Sequence, residues 1–406
     1  MNTGLKKNEH IRKQVLHITP LPLFPLIGPC LRCLRQSQGL RKSGYEVEIL
    51  SRRLSGYSEN FTDQIFQGIK VLCRLPSPPI VLLRELVNIV YSWWVILKTI
   101  NQIKPDIVHV HNSPESIAFA TSIVCSFKRI PFIYDAHDGV YELISSLEIN
   151  PVQKKLYLAI GLFFERATLR RCAGVLTVSE ALKESMLKRV GNHIGSKPFV
   201  VMRNINPELS DIADSYQEAR EGNYILHSGT LYTATIGLED VIDIITDLNK
   251  KTGVKLVIAG DGPYKRKLEE YANAKGVKEA VDFLGHIGRE KLYKLISGAK
   301  LCIMPFKKTR HMDTVLPNKL FEYMALAKPV IYPDLPGFRE VLGINHEGKY
   351  KPDNKDDMKR IVENMLLNEK FRKSAGKKNR ELLKEITFEK EMQKLLGLYH
   401  LILKQA

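Results

Sequence analysis

The residues best suited to chemistry lie in one stretch, Asp313 to Leu342, reading DTVLPNKLFEYMALAKPVIYPDLPGFREVL. Pro317 and Asn318 follow the loop Thr314-Val315-Leu316 and should open a helix, because proline at a first helical position forfeits no needed hydrogen bond. Leu320, Phe321, Tyr323, Met324 and Leu326 give that helix an apolar face, and it should end near Ala327-Lys328. Pro329 to Tyr332 reads as a short buried strand, and Pro333 to Gly337 as a turn. The helix N-terminus presents free N–H groups and a positive dipole end, which suits a phosphate. Glu322 stands one turn into the helix. By spacing alone, a single carboxylate beside an apolar face reads as a solvated side chain.

A second set of polar side chains falls where strands should end. Lys104-Pro105-Asp106 leads into the strand Ile107–Val110 and the polar tip His111-Asn112-Ser113. Pro131–Tyr134 is another strand, ending in Asp135-Ala136-His137-Asp138. Open α/β sheets bind ligands just past their strand C-ends, although an isolated histidine more often has a structural role. Gly28 closes the loop Pro20–Pro29 after the strand Gln14–Thr19, and one glycine there serves a turn as readily as a phosphate. Cysteines stand at 30, 33, 73, 125, 172 and 302. Cys30 and Cys33 are the one close pair, with no second pair to complete a zinc ribbon, so they read as core residues of a helix. No ligand cluster in the sequence implies a metal. Reducing cytoplasm fits this cysteine usage best.

These residues need elements to position them. Strand Gln14–Thr19, helix Leu31–Lys42 and strand Glu46–Leu50 open a doubly wound α/β domain. Leu156–Cys172 reads as a helix, Gly174–Val178 as a strand, and Ser179-Glu180 as the start of another helix. Phe199–Met202 is the last strand of this half, followed by Arg203-Asn204 and a polar linker from Pro207 to Gly222. The alternation restarts with strand Asn223–His227, turn Ser228-Gly229-Thr230 and helix Leu238–Lys250. Strand Val254–Ala259 closes on Gly260-Asp261-Gly262-Pro263, and Val281–Gly285 and Lys300–Pro305 are further strands. Phe388 to Lys404 is an amphipathic helix. The expected division is a first domain over 1–206, a linker over 207–222, a second domain over 223–385 and a terminal helix over 386–406.

The chain has 406 residues, enough for two domains, with 44% hydrophobic and 26% charged content, ordinary for a globular protein. Met1–Gln14 is polar and basic and does not read as a signal peptide. Lys and Arg number 61 against 44 Asp and Glu, a net charge of +17. Residues 1–200 hold 26 basic and 15 acidic side chains, so +11 of the excess lies in the first half. That suits an anionic surface. No helix-turn-helix, RNA-binding aromatic motif or zinc finger supports nucleic acid, so a membrane leaflet is the better partner. Pro76 to Ile103 is apolar but interrupted by Arg84, Glu85, Asn88 and Lys98, so it should not span a bilayer. With Tyr91, Trp93 and Trp94 it suits a helix in a membrane interface, a helix packed on the sheet, or both on different faces.

The string PNKLFEYMALAKPVI resembles the nucleotide-sugar signature of the group-1 glycosyltransferases, the retaining family 4 of GT-B fold. YDAHD, RCAGVLTVSEAL, GDGP and FLGHIG are similar to other segments of that family, and the resemblance covers roughly 300 residues, strongest from Asn223 to Leu342. It implies two Rossmann-like domains facing across a cleft, with the terminal helix crossing back to the first. It also implies glycosyl transfer with retention and without a metal, from a UDP- or GDP-linked sugar acting as substrate, with no other cofactor. The family carries two glutamates eight positions apart, the second holding the donor ribose. Glu322 matches the second and Thr314 stands at the first. Leu316, Pro317, Asn318, Gly229 and Thr230 fall on the donor-binding segments, Gly28 on the first-domain glycine loop, and His286 and Ile287 on the segment that reads the base. His137 matches the catalytic histidine, with His111, Asp138 and Arg203 as further candidates lining the cleft. Thr230 and Ile236 stand where the family has an arginine and a lysine against the pyrophosphate. Lys307, Lys308, Arg310 and Lys319 are the nearby cations that could replace them.

The expected partners are a nucleotide sugar, a glycan or lipid-linked acceptor and an anionic membrane, with the protein cytoplasmic and peripheral on the inner face. Two rivals remain at this point: a nucleotide-sugar epimerase on the same fold, and a degenerate, non-catalytic sugar-nucleotide or glycan binder.

Overall fold

The apolar runs become strands of two sheets, each inside its own unit. The computed structural model describes residues 12–21, 28–52, 64–75, 81–112, 115–216 and 221–405. One unit comprises Met1–Thr177, Met186–Met202 and Met392–Ala406, and the other Val178–Ser185 and Arg203–Glu391.

The first unit is built on β1 (Gln14–Ile18), β2 (Glu46–Arg52), β3 (Gln64–Phe66), β4 (Ile69–Leu75), β5 (Ile107–His111), β6 (Phe132–Ala136), β7 (Gly174–Thr177) and β8 (Phe199–Val201). Their order across the sheet is β3-β4-β2-β1-β5-β6-β7-β8. All neighbours run parallel except β3 and β4. That antiparallel pair is absent from the sequence reading. It turns at Gln67-Gly68, both with positive φ, the geometry a two-residue hairpin needs. The chain winds outward from β1 through β2 and β4, then returns to place β5 on the other side of β1. The order of winding therefore reverses between β1 and β5, and ligands bind open α/β sheets at such a point.

The second unit repeats the plan with β9 (Tyr224–Ser228), β10 (Lys255–Ala259), β11 (Val281–Phe283), β12 (Leu301–Ile303), β13 (Val330–Pro333) and β14 (Lys349–Tyr350). The order is β11-β10-β9-β12-β13-β14, all parallel. Strands buried on both faces are largely apolar, which explains runs such as Ile225-Leu226 and Leu301-Cys302-Ile303, all fully buried. The reversal here lies between β9 and β12.

Two expectations change. The polar linker over 207–222 contains the helix Leu209–Ser215, whose Leu209, Ile212 and Ala213 join the core of the second unit. Seven residues, about two turns, are too few to register as a periodic pattern. The strand expected over Pro131–Tyr134 is β6, shifted to Phe132–Ala136, so Asp135 lies inside the sheet rather than on a polar tip. The terminal helix, Phe388–Gln405, belongs to the first unit from Met392 onward, as the resemblance implies. Leu395, Leu398, Tyr399 and Ile402 on its inner face are buried. Gly39 and Gly174 leave the room in which Met392, Leu398 and Ile402 sit.

Candidate functional site

At the β9–β12 reversal, the helix expected from the proline-led stretch forms over Asn318–Ala325, with Pro317 just outside it in extended conformation. Ala327, at φ 53°, takes the left-handed turn that ends it. Tyr323 is fully buried and ties the helix to the sheet. Its hydroxyl accepts from the Ser228 N–H at 2.9 Å and lies 2.8 Å from the Ser228 hydroxyl. This fixes Lys319 one turn earlier. Its ammonium rests against Gly229 at the end of β9, and 5.4 Å from the centre of the Phe306 ring. Gly229 has φ 128°, and a Cβ there would strike that ammonium. Burial lowers the Lys319 pKa to about 8, against the opposing pull of Glu322. His227 lies beneath, donating from Nδ1 to the Ile303 carbonyl at 3.0 Å, with Nε2 buried and unpartnered.

The other donor-site candidates are placed unevenly. Thr314 is buried, its hydroxyl donating to the His311 carbonyl at 2.9 Å and its own carbonyl accepting from Ser179 at 2.6 Å. Leu316 is buried, while Pro317, Asn318 and Glu322 are half-buried and Thr230 and His286 are exposed. Ile287 packs on the core of the second unit. Among the four candidate cations, Lys307 is ion-paired with Asp240. Lys308 and Arg310 are exposed and act on Asp313, whose carboxyl is raised by burial. Lys319 is the one that the fold brings to the strand end. Arg203 is not an open binding group: its main-chain N–H donates to Glu391 at 2.8 Å, and its side chain pairs with Glu391 at 3.4 Å and Glu340 at 3.9 Å.

At the β1–β5 reversal in the first unit stands a cluster that sequence reasoning found only in part. His137 follows β6 directly and His111 ends β5, their ring nitrogens 2.7 Å apart. Behind them lie His109, His17, Asp135 and Arg32, all buried. Parallel register sets His17 beside His109 and His111 beside Asp135. Arg32, on the helix Gly28–Lys42, holds Asp135 through both carboxylate oxygens, with contacts of 3.0 to 3.3 Å, and donates to the Met202 carbonyl at 2.7 Å. Burial alone would raise the Asp135 carboxyl. Arg32, then His137, overrides it and holds the group well below the usual carboxylate range. Burial pushes His109 down to about 4, and His17 and His137 well below the ordinary imidazole value. The available signal was the alternation of His109 and His111 on one face of a strand, beside His17 in its neighbour.

Gly28 begins the helix that carries Arg32, rather than ending a loop. Asn112 brackets the end of β6, accepting from the His137 N–H at 2.8 Å and donating to the Asp138 carbonyl at 2.7 Å. Cys30 and Cys33 are buried in the same helix as expected, and Cys33 lies 3.7 Å from the His17 ring. Two groups have ligand atoms close enough for a cation, His17–Cys33–His111 and His109–His111–Asp135, which the sequence reading did not foresee.

Two Rossmann-like units, each with polar side chains at a sheet reversal, are the component domains of the GT-B fold. The model for Glycosyltransferase Family 4 matches residues 32–205 and that for Glycosyl transferases group 1 matches residues 210–382. The chain belongs to this group-1, family-4 glycosyltransferase family and is an enzyme that transfers a glycosyl group. An uncharacterized glycosyltransferase of Methanocaldococcus jannaschii is 25% identical over 357 residues, 85% of this chain and 86% of that protein. The O-antigen chain mannosyltransferase RfbU of Salmonella typhimurium is 25% identical over 289 residues, 70% of this chain and 71% of its own length. Anabaena HepE, solved in complex with UDP, superposes with a TM-score of 0.70 at 14% identity, over 95% of this chain and 99% of its own.

The lowered pKa of Lys319 gives a direct test of the geometry. In protein with labelled lysines, one ammonium should titrate near pH 8, well below the others, and should vanish in Lys319→Met. If every lysine titrates above about pH 10, the Lys319 ammonium is not held in this desolvated position.

Proposed function

We propose that the chain transfers a hexosyl group from a UDP- or GDP-linked donor to a glycan or lipid-linked acceptor, with retention and without a metal ion. The observation that carries this reading is Lys319 held against Gly229 at the end of β9, with Glu322 one turn further along the same helix. A diphosphate beside Lys319 and the N–H groups that open the helix meets positive charge that is partly removed from water. Such an ammonium interacts more strongly with an anion than a solvated one does. Glu322 accepts from the ribose hydroxyls. The Thr314 hydroxyl donates to His311 and keeps lone pairs with which to accept from a further donor hydroxyl. The segment at His286 and Ile287 reads the base, and exposed Lys308 and Arg310 add attractive charge. As the glycosidic bond breaks, negative charge grows on the leaving diphosphate. Lys319 and the helix N–H groups are already oriented towards it, which is the main catalytic contribution available. His137 works at the sugar or the acceptor.

The acceptor belongs to glycan biosynthesis at the cell envelope, and the enzyme meets it on the cytoplasmic face of an anionic membrane. Support comes from the first unit. Helix Val81–Ile103 buries Val95, Ile96 and Ile100 and exposes Val90, Tyr91, Trp93 and Trp94, the last at 53%. Phe127 on the helix Glu115–Lys128, and Val152 and Phe163 on the helix Pro151–Arg171, are exposed as well. Lys98 lies over Trp94 and Lys128 over Phe127. Aromatic rings interleaved with lysine suit a lipid headgroup layer. No described helix is long and apolar enough to cross a membrane.

Two measurements test these readings. Titration calorimetry should find nucleoside diphosphate binding weakened most in Glu322→Ala and less in Glu322→Gln. Each lost charge-assisted hydrogen bond is worth about 1.5–3 kcal/mol, and both variants should lose the preference for ribose over 2′-deoxyribose. Parent-like affinity in the alanine variant would place the donor elsewhere. Vesicle binding should require anionic lipid and weaken as salt rises, because surface attraction is screened within about 8–10 Å. Equal binding to neutral vesicles would remove the membrane reading.

A further inference from the structure

Asp135 determines which nitrogen carries the proton on each histidine around it. An ionised carboxylate only accepts hydrogen bonds. His109 Nε2, 3.2 Å from Asp135 Oδ2, must therefore carry a proton, which leaves His109 Nδ1 to accept from the Tyr399 hydroxyl at 2.9 Å. His111 Nδ1 lies 3.4 Å from the same carboxylate oxygen and 2.7 Å from His137 Nε2. A proton on His111 Nδ1 serves both neighbours. A lone pair there would face the carboxylate charge instead. Only one proton fits within the 2.7 Å contact, so His137 Nε2 is the acceptor. A neutral His137 then carries its proton on Nδ1. At the far end, His17 Nδ1–H donates to His111 Nε2 at 3.1 Å, and His17 Nε2, buried without a partner, keeps a lone pair rather than an N–H. Every contact in this row has one donor and one acceptor. The two triads suited to a cation both require His111, whose nitrogens are engaged on both sides.

We propose that His137 acts as a hydrogen-bond donor through Nδ1–H, to an oxygen of the sugar or acceptor, and not as a general base, with Asp135 and His111 as the positioning residues that hold it so. His137 Nε2 is spent on His111, and its Nδ1 has no partner among the described residues. The burial that lowers its pKa keeps the ring neutral, so the row is not broken by a second proton near neutrality. This inference rests on the proposed placement of His137 at the sugar or acceptor. Its first test does not depend on that placement.

In the full-length protein with nitrogen-15 histidines, two-bond nitrogen–proton spectra between about pH 6 and pH 8 report each ring's tautomer. His137→Ala identifies the His137 signals. The expected result is a protonated Nδ1 and a bare Nε2. A protonated Nε2, an imidazolium, or one equivalent of zinc in the purified protein would each overturn the assignment. A second arm reads turnover. His137→Ala should lose about 100-fold, the usual effect of removing one preorganised donor, with nucleotide-sugar KM little changed. His137→Gln, which retains an N–H, should recover at least about tenfold of that loss, and equal losses in both variants would overturn the donor role. If the parent transfers no sugar from any donor, the functional reading fails while the tautomer result stands.

Discussion

A carboxylate taken out of water has to be matched, and in this protein Asp135 is matched by Arg32. Neither side chain has appreciable exposure, and an uncompensated charge in such a place costs about 3–5 kcal/mol. The pair therefore fixes more than itself. It ties the helix Gly28–Lys42 to β6 and, through the Met202 carbonyl, to the end of β8. It also gives the strands β1, β5 and β6 a common electrostatic reference. Four imidazoles share the space, and the fixed charge of Asp135 leaves them one consistent pattern of donors and acceptors. Tyr399 completes the arrangement from the terminal helix and joins that helix to a residue 290 positions earlier in the chain.

The second unit solves a related problem with the opposite charge. Lys319 is drawn out of water at the end of β9 with no acidic side chain hydrogen-bonded to its ammonium among the described residues, and burial lowers its pKa accordingly. A cation kept in that condition is poised for an anionic ligand, because the ligand restores what desolvation removed. Tyr323 and Gly229 hold it there, one by anchoring the helix and the other by leaving space. Each sheet thus places an ionic group whose pKa is shifted by its surroundings at the reversal of its own strand order, where the parallel topology leaves a crevice open.

Much of this was legible in the sequence. Alternating apolar runs and helical periods gave the two doubly wound units, because parallel strands buried on both faces have few alternatives. Pro317 and the apolar face after it located the site helix to within a residue or two. Three things were not legible. Asp135 looked like a loop residue because its burial depends on Arg32, 103 positions away, and no local pattern carries that distance. Lys319 was indistinguishable from Lys307 until the fold paired Lys307 with Asp240. The helix Leu209–Ser215 was missed because its three apolar positions make sense only against the core they enter.

The central claim is that Lys319 is the cation that the pyrophosphate meets. The most direct test compares parent and Lys319→Met for binding of a nucleoside diphosphate and of the corresponding free nucleoside. The account predicts that the substitution weakens the diphosphate by roughly 10- to 100-fold, the loss of one charge-assisted contact of about 1.5–3 kcal/mol, and leaves the nucleoside unchanged. A diphosphate affinity equal to the parent's, or an equal loss for both ligands, would contradict it.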